Sequence, residues 1–403
     1  MDLTLRAITE EELGPFLRTF RAVFGGVPRD RDLARARRRL EPERCFVAVD
    51  PGGEVVATAG AHSFTMALPG GGEVGAAGIT LVAVRADHRR RGLLTALLRR
   101  LLDQARERGE AVAALWASET PIYGRFGFGP AIPTVELTLE RTHAALAVQG
   151  PVDEVELVDT VAARAAFPAL RDEMLGERAG LLRRPAAFWD DLLDPEAAPP
   201  SGAGPRQLAL LPGRGYAIYR LEPAWTAGAP TGTVRVQELH ASGTPAAAAL
   251  WRFVTDVDLA STTVAGRRPV DDPVLAMVVD QGRARVAVDW PLQVRLLDPV
   301  QVLTTRHYAA DDTLHLDVTD ALFPDRSGRF ALAVAGGRAS CVRIDGDAEL
   351  ELDLRALSTV GLGGVRTTQL VAAGQAVERV PGAASRLDRL LATPLAPWHE
   401  FMF

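Results

Sequence analysis

The stretch from Ile79 to Leu102 changes its period halfway, and that change limits the folds open to the chain. Ile79-Thr-Leu-Val-Ala-Val84 is a short apolar, β-branched run, which predicts a buried strand. From Leu93 onward apolar residues fall at 93/94, 97/98 and 101/102, the stripe of an amphipathic helix with arginines on its other face. Between the two lies Arg85-Ala-Asp-His-Arg-Arg-Arg-Gly92, a basic turn with glycine at the helix start. A strand feeding such a turn and then a helix N-terminus makes an anion site. Unpaired backbone N–H groups and the helix dipole converge there, and arginines add charge. Gly92 removes a Cβ where phosphates would come closest.

This spacing resembles the acetyl-CoA signature of the GNAT superfamily of N-acetyltransferases, in which a V-x-V strand precedes R/Q-x-x-G-x-G/A. Here the strand is Val82-Ala83-Val84 and the turn is Arg89-Arg90-Arg91-Gly92-Leu93-Leu94. Leu94 stands where Gly or Ala is usual. The resemblance implies acetyl-CoA as co-substrate, gripped by the amides of this turn.

The flanking residues follow the GNAT order. Leu3–Arg6 reads as a strand. Thr9 with Glu12 is a capping box for a helix through about Phe24. Asp30–Leu40 is a second helix, rich in arginine. Cys45–Asp50 and Glu54–Thr65 are strands joined at Pro51-Gly-Gly53, and Pro69–Gly72 turns into the central strand. After the helix, Ala111–Trp116 is a strand, Pro121–Phe126 a short helix and Thr134–Leu139 a further strand. In the GNAT fold the helix after that first strand lies beside the acetyl thioester, and its tyrosine protonates the departing thiolate. Tyr123 stands at that place. A phenol, with a pKa near 10, is protonated at pH 7 and suited to the task. Ser118, where the strand ends, is a further cofactor contact in this reading.

The segment Trp116–Ala131, with His88–Thr95, resembles the Eis-type (enhanced intracellular survival) acetyltransferases within the superfamily. Val288-Asp-Trp-Pro-Leu-Gln-Val-Arg-Leu-Leu297 is similar to that family's D-x-L-W-V-R-L-L segment, and Gly361–Val365, Leu387–Leu391 and Ala396–Trp398 are similar to its tail. The fold so implied is α+β with mixed sheets: tandem GNAT-like domains followed by a sterol-carrier-protein-like domain. The boundaries expected are 1–148, 149–290 and 291–403. Gln149-Gly-Pro151 is a break, and a Pro/Gly loop spans 197–205. Leu210–Gly215 reads as a hairpin connection, so the second domain lacks an anion turn. Ala246–Val257 is a buried helix; Asp298–Leu303 is a helix followed by strands at Leu314–Val318, Arg329–Ala335, Ser340–Ile344 and Ala348–Leu354, and then by helices at Leu354–Val360, Thr367–Ala373 and Ala384–Ala392.

The chain runs to Trp398-His-Glu-Phe-Met-Phe403. Aromatic side chains at 398, 401 and 403 favour burial, unlike most termini. In the Eis-type family a terminal phenylalanine carries its α-carboxylate to the acetyl site as general base, which assigns Phe403 that role. An ordinary α-carboxylate, with a pKa near 3.5, is a weak base, so it acts through positioning and desolvation. The acceptor implied is a primary amine, aminoglycoside-like or lysine-like, with Glu400 and Glu119 as candidate contacts. The family's acidic residue near the end of the first helix has no counterpart in Val23-Phe-Gly-Gly26.

Composition excludes some classes. The net charge of −6 gives no bulk attraction to nucleic acid or anionic membrane. The basic residues are all arginine, and there is no asparagine, the mark of a GC-rich coding sequence. Cys45 and Cys341 are too few and too distant for a disulfide framework, which suits a reducing cytoplasm. No apolar run is long enough to span a bilayer and no signal-peptide pattern opens the chain. The seven histidines show no metal-ligand spacing, so no metal is expected. Family analogy implies a homo-oligomer, a hexamer. The alternative to an enzyme is a protein that binds the cofactor, or carries a hydrophobic ligand, without turnover.

Overall fold

The computed structural model describes residues 3–197 and 202–403. The expected loop at 197–205 therefore lies partly outside the described residues. Packing divides the chain into two units: Met1–Ile132 with Pro291–Thr393 and Phe401–Phe403, and Pro133–Trp290 with Pro394–Glu400. The three expected segments follow chain order, whereas the packing units are discontinuous.

The first unit opens with β1 (Thr4–Ala7), α1 (Leu13–Val23), α2 (Asp30–Arg39), β2 (Cys45–Val49), β3 (Val55–Ala67) and β4 (Glu73–Val84). Then come α3 (Leu93–Glu107) and β5 (Val112–Trp116). The capping box at Thr9 and Glu12 forms, but it caps a 3-10 turn, Glu10–Glu12, that leads into α1. Strands β1 to β4 pair antiparallel in sequence order, and β4 then pairs with β5 in parallel. The apolar stripe of α3 (Leu93, Leu97, Leu98, Leu101, Leu102) covers this sheet over Val56, Ala57, Ala59, Ala113 and Leu115. The alanines on the strands keep the sheet face low enough for the leucines to interlock. Phe16, Leu13 and Leu17 of α1 pack with Cys45 and Val47 in a separate cluster.

The second unit holds most of β6 (Gly129–Glu140), then β7 (Glu156–Leu157), α4 (Thr160–Glu173), α5 (Ala186–Leu192), β8 (Gln207–Leu211) and β9 (Gly215–Glu222). A short hairpin of β10 (Trp225–Thr226) and β11 (Ala229–Pro230) precedes β12 (Gly232–Ala241), α6 (Thr244–Thr255), β13 (Ala260–Pro269), α7 (Val274–Met277) and β14 (Arg285–Leu296). Its sheet runs β6-β13-β12-β9-β8-β7, with β12 and β13 parallel. The Leu210–Gly215 segment is the β8–β9 hairpin turn expected from its glycines. Helix α6 is buried along Ala246, Ala249, Leu250, Trp251 and Val254.

The C-terminal end of β14 belongs to the first unit, where Leu292–Leu296 pair antiparallel with β5. The same unit contains α8 (Pro299–Thr305), β15 (Asp312–Thr319), β16 (Gly328–Ala335), β17 (Arg338–Arg343), β18 (Leu350–Asp353), α9 (Leu354–Val360), α10 (Thr367–Ala372), β19 (Ala376–Glu378) and α11 (Ala383–Leu391). These strands form a sheet of order β17-β16-β15-β18-β19. Asp298 and Asp353 cap α8 and α9 through side-chain bonds to the Gln301 and Ala356 amides. Among the described residues, no helix is long and apolar enough to cross a membrane.

Candidate active site

The parallel ladder of β4 and β5 ends at Ile79–Leu115, while β4 continues to Val84 against β3. The two strands therefore part. A bulge accompanies the parting: Thr58 opposes Ala83 and Gly60 opposes Thr80, so β4 carries one extra residue. Leu81 takes φ +53° there, and the Thr58 hydroxyl donates to its carbonyl at 2.8 Å. Val82 and Val84 are half-buried and Ala83 is buried, just beyond the bulge.

The basic turn follows. Arg90 and Gly92 both occupy the left-handed region, at φ +62° and +78°, and Gly92 is the N-cap of the 15-residue α3. Alternating hands of this kind curl the backbone into a concave nest whose N–H groups face one way. A Cβ on Gly92 would meet no atom within 4 Å, so its positive φ is what demands glycine. Arg89, Arg90 and Arg91 are exposed, and Arg91 also donates to the Asp87 carbonyl at 2.9 Å. His88 and Arg85 bind the Asp87 carboxylate and hold it down to about 2. Leu93 is buried, and Leu94, the departure from the signature, leans on the α3 core. These features fit a pyrophosphate: exposed guanidiniums, two left-handed residues and a long helix's N-terminus.

The expected helix at Pro121–Phe126 is two 3-10 turns, Thr120–Ile122 and Gly124–Phe126, with Tyr123 between them. The Phe126 amide donates to the Tyr123 carbonyl, three residues back, at 3.0 Å, the tighter closure of a 3-10 turn, and the Phe128 amide reaches the same carbonyl at 3.4 Å. Burial first, and then the charge of Glu119, push the Tyr123 phenol above its ordinary range. Ser118 and Glu119 are exposed in the preceding loop.

The last three residues also belong to this unit. The Thr80 hydroxyl donates to the Phe403 backbone oxygen at 3.0 Å, and Trp116 Nε1 donates to the Phe401 carbonyl at 3.1 Å. Thr80 lies on β4 where the strands part, and Trp116 ends β5. Phe64 meets the Phe401 and Phe403 rings edge-on at 6.0 and 5.2 Å. A Cβ on Gly78 would lie 2.4 Å from the Phe64 ring and 3.0 Å from that of Phe403. Thr80, Trp116, Phe64 and Gly78 were not singled out from the sequence. A glycine inside an apolar strand was the available signal, because it marks a close approach.

Glu400 departs from expectation as a substrate contact. It is buried in the second unit, where Arg171 Nε and Arg184 Nη2 reach its Oε1 at 2.6 and 3.0 Å. Burial alone would raise its pKa, but the two arginines overcome it and hold the group well below the carboxylate range. Its backbone oxygen accepts from Arg267 at 2.7 Å. Glu238, His240 and Glu400 bring ligand atoms within 4.8 Å of one another. Arg184 already binds both carboxylates, so a cation would have to displace a guanidinium.

A bulged strand parting from its parallel neighbour, followed by a nest at a helix N-terminus, defines an acyltransferase of the GNAT class. Residues 4–131 and 180–296 match models of the acetyltransferase (GNAT) domain, and 299–400 match a sterol carrier protein domain. An uncharacterized N-acetyltransferase of Streptomyces avermitilis is 37% identical over 99% of both chains. N-acetyltransferase Eis of Mycobacterium tuberculosis is 34% identical over 92% of both. The crystal structure of Eis1 from Mycobacterium abscessus superposes with a TM-score of 0.88 at 29% identity, over the whole of both chains. The chain belongs to the Eis-type N-acetyltransferases of the GNAT superfamily.

Proposed function

We propose that the chain transfers the acetyl group of acetyl-CoA directly to a primary amine, aminoglycoside-like or lysine-like, with Tyr123 as general acid and the Phe403 carboxylate as general base. The observation that carries this reading is the 3.0 Å bond from Thr80 to the Phe403 oxygen. It fixes the terminal residue two positions from Val82, on the strand that GNAT enzymes use to hold the thioester. The turn Arg89–Leu94 would hold the pyrophosphate and Val82, Ala83 and Val84 the pantetheine, with Ser118 as a further cofactor contact. Acetyl-CoA supplies an activated acyl group.

The chain's own residues supply the proton traffic. Phe403 accepts a proton from the incoming ammonium, and Tyr123, kept protonated by burial, donates one to the leaving thiolate. Holding both partners in one cleft supplies much of the acceleration. Glu119, exposed beside Tyr123, is the candidate contact for a cationic acceptor. The two free cysteines, Cys45 and Cys341, suit a reducing cytoplasm. By family analogy the enzyme works as a homo-oligomer.

Thiol release from acetyl-CoA against a panel of amines tests the reading. Wild type is expected to turn over with at least one class of primary amine, and Tyr123→Phe is expected to lose at least about 100-fold in kcat. Equal kcat in the two proteins would remove Tyr123 from the reaction.

A further inference from the structure

The Val288–Leu297 segment contains an arginine to which the proposed chemistry gives no task. Arg295 is 1% exposed on the part of β14 that pairs with β5. Its Nη1 donates to the Phe126 carbonyl at 2.5 Å and its Nη2 to Asp320 Oδ2 at 2.5 Å. Asp320 is itself fixed, because its Oδ1 accepts from the Leu322 and Phe323 amides at 3.0 and 3.1 Å. The Phe323 ring lies 5.2 Å from the guanidinium.

The other end of this chain of contacts is the tyrosine loop. Phe126 donates its amide to the Tyr123 carbonyl, Phe128 does the same, and the Phe128 ring stands edge-on to Tyr123 at 6.1 Å. The glycines of Gly124-Arg-Phe-Gly-Phe-Gly129 leave room for Arg295 and for two residues that follow it in the chain. A Cβ on Gly127 would fall 2.0 Å from Arg295 Nη1. One on Gly124 would fall 3.2 Å from Arg355 Nε, and one on Gly129 2.2 Å from Thr359 Oγ1. Asp320, Arg355 and Thr359 all lie within the span matched by the sterol carrier model.

We propose that Arg295, oriented by Asp320, is the positioning residue of the proton donor: it clamps the Phe126 carbonyl and so holds Tyr123 in register with the thioester. The sterol-carrier-like module then serves as a rigid backing for the tyrosine loop. This rests on the reading of Tyr123 as the acid. Burial of the guanidinium, which lowers its pKa against the opposing charge of Asp320, is a cost that a dispensable surface arginine would not carry.

The test is a double-mutant cycle on the full chain with Tyr123→Phe and Arg295→Met, read as kcat and as acetyl-CoA affinity by titration. Arg295→Met alone is expected to lower kcat roughly 10- to 100-fold, with acetyl-CoA affinity within about twofold of wild type. In the Tyr123→Phe background the same change is expected to cost less than about twofold, since a clamp has nothing left to position. Arg295→Lys, which can reach one acceptor, is expected to recover part of the loss. Asp320→Asn, which keeps the arginine, gives an intermediate loss and covers a failure of Arg295→Met to fold. Equal losses in both backgrounds, or a fall in acetyl-CoA affinity that tracks kcat, would mean a merely structural arginine and overturn the proposal. Full activity in Tyr123→Phe itself would overturn the underlying reading first, a result separable from activity retained in Arg295→Met alone.

Discussion

At the scale of single residues, the fold places small groups where larger ones would ruin the site. Gly78 is the clearest case, because the Phe64 and Phe403 rings cover its α-carbon. Gly78→Ala is expected to displace the Phe403 ring and cut kcat at least about tenfold while acetyl-CoA still binds; a steady-state comparison of kcat with the acetyl-CoA dissociation constant checks it. Thr80→Val keeps shape and removes the hydroxyl that holds Phe403. The loss of one hydrogen bond of about 1.5 kcal/mol corresponds to roughly tenfold in kcat. A change confined to the acetyl-CoA KM would contradict that role. His62 is buried, which pushes its pKa down to about 3. The folded state therefore favours the neutral ring, and the unfolded chain takes up the extra proton below about 6.5. Stability is present above pH 6.5 and is lost as pH falls towards 3, by about 2 kcal/mol between pH 7 and pH 5 for this residue alone. His62→Gln is expected to flatten that slope in urea titrations at the two pH values.

At the scale of elements, local pattern and long-range packing divide what the sequence makes legible. The α3 stripe and the turn before it are local, and so is the hairpin at Leu210–Gly215; their periods and glycines specify them directly. The bulge at Leu81 was not legible, because it exists only through the register of β3 against β4. The tyrosine segment looked helical from its proline and length, but glycines at 124 and 127 and the Arg295 clamp close it into two 3-10 turns. Strand β14 was read only as a family segment. Pro291, inside that segment, stands where the chain passes from one unit to the other. Burial of Glu400 is illegible for a related reason: an acidic residue near a chain end looks solvated, and its two arginine partners lie more than two hundred residues away. A second long-range pair joins Arg44, the residue before β2, to Glu110 through two bonds of 2.6 and 2.7 Å, both groups buried. Glu110→Gln is expected to destabilise the first unit by about 3–5 kcal/mol, because it leaves the Arg44 charge buried without its counterion. A denaturant midpoint unchanged from wild type would contradict this.

At the scale of the whole molecule, short motifs carry the resemblance, and the modules they imply match over residues 4–131, 180–296 and 299–400. The parting of β4 and β5, the nest at α3, the tyrosine loop and the last three residues all belong to one packing unit. They are drawn from distant stretches, which explains why the turn was readable from one segment while the Thr80, Trp116 and Gly78 contacts to the terminus were not. In the proposed reaction the Phe403 carboxylate is the base for the acceptor amine. Appending one glycine after Phe403 turns that carboxylate into a peptide carbonyl with little change in bulk. The most direct test is kcat for amine acetylation by this extended protein beside wild type, with acetyl-CoA affinity measured on both. A loss of at least about 100-fold in kcat with affinity unchanged is expected; a kcat within twofold of wild type would remove the carboxylate from the reaction.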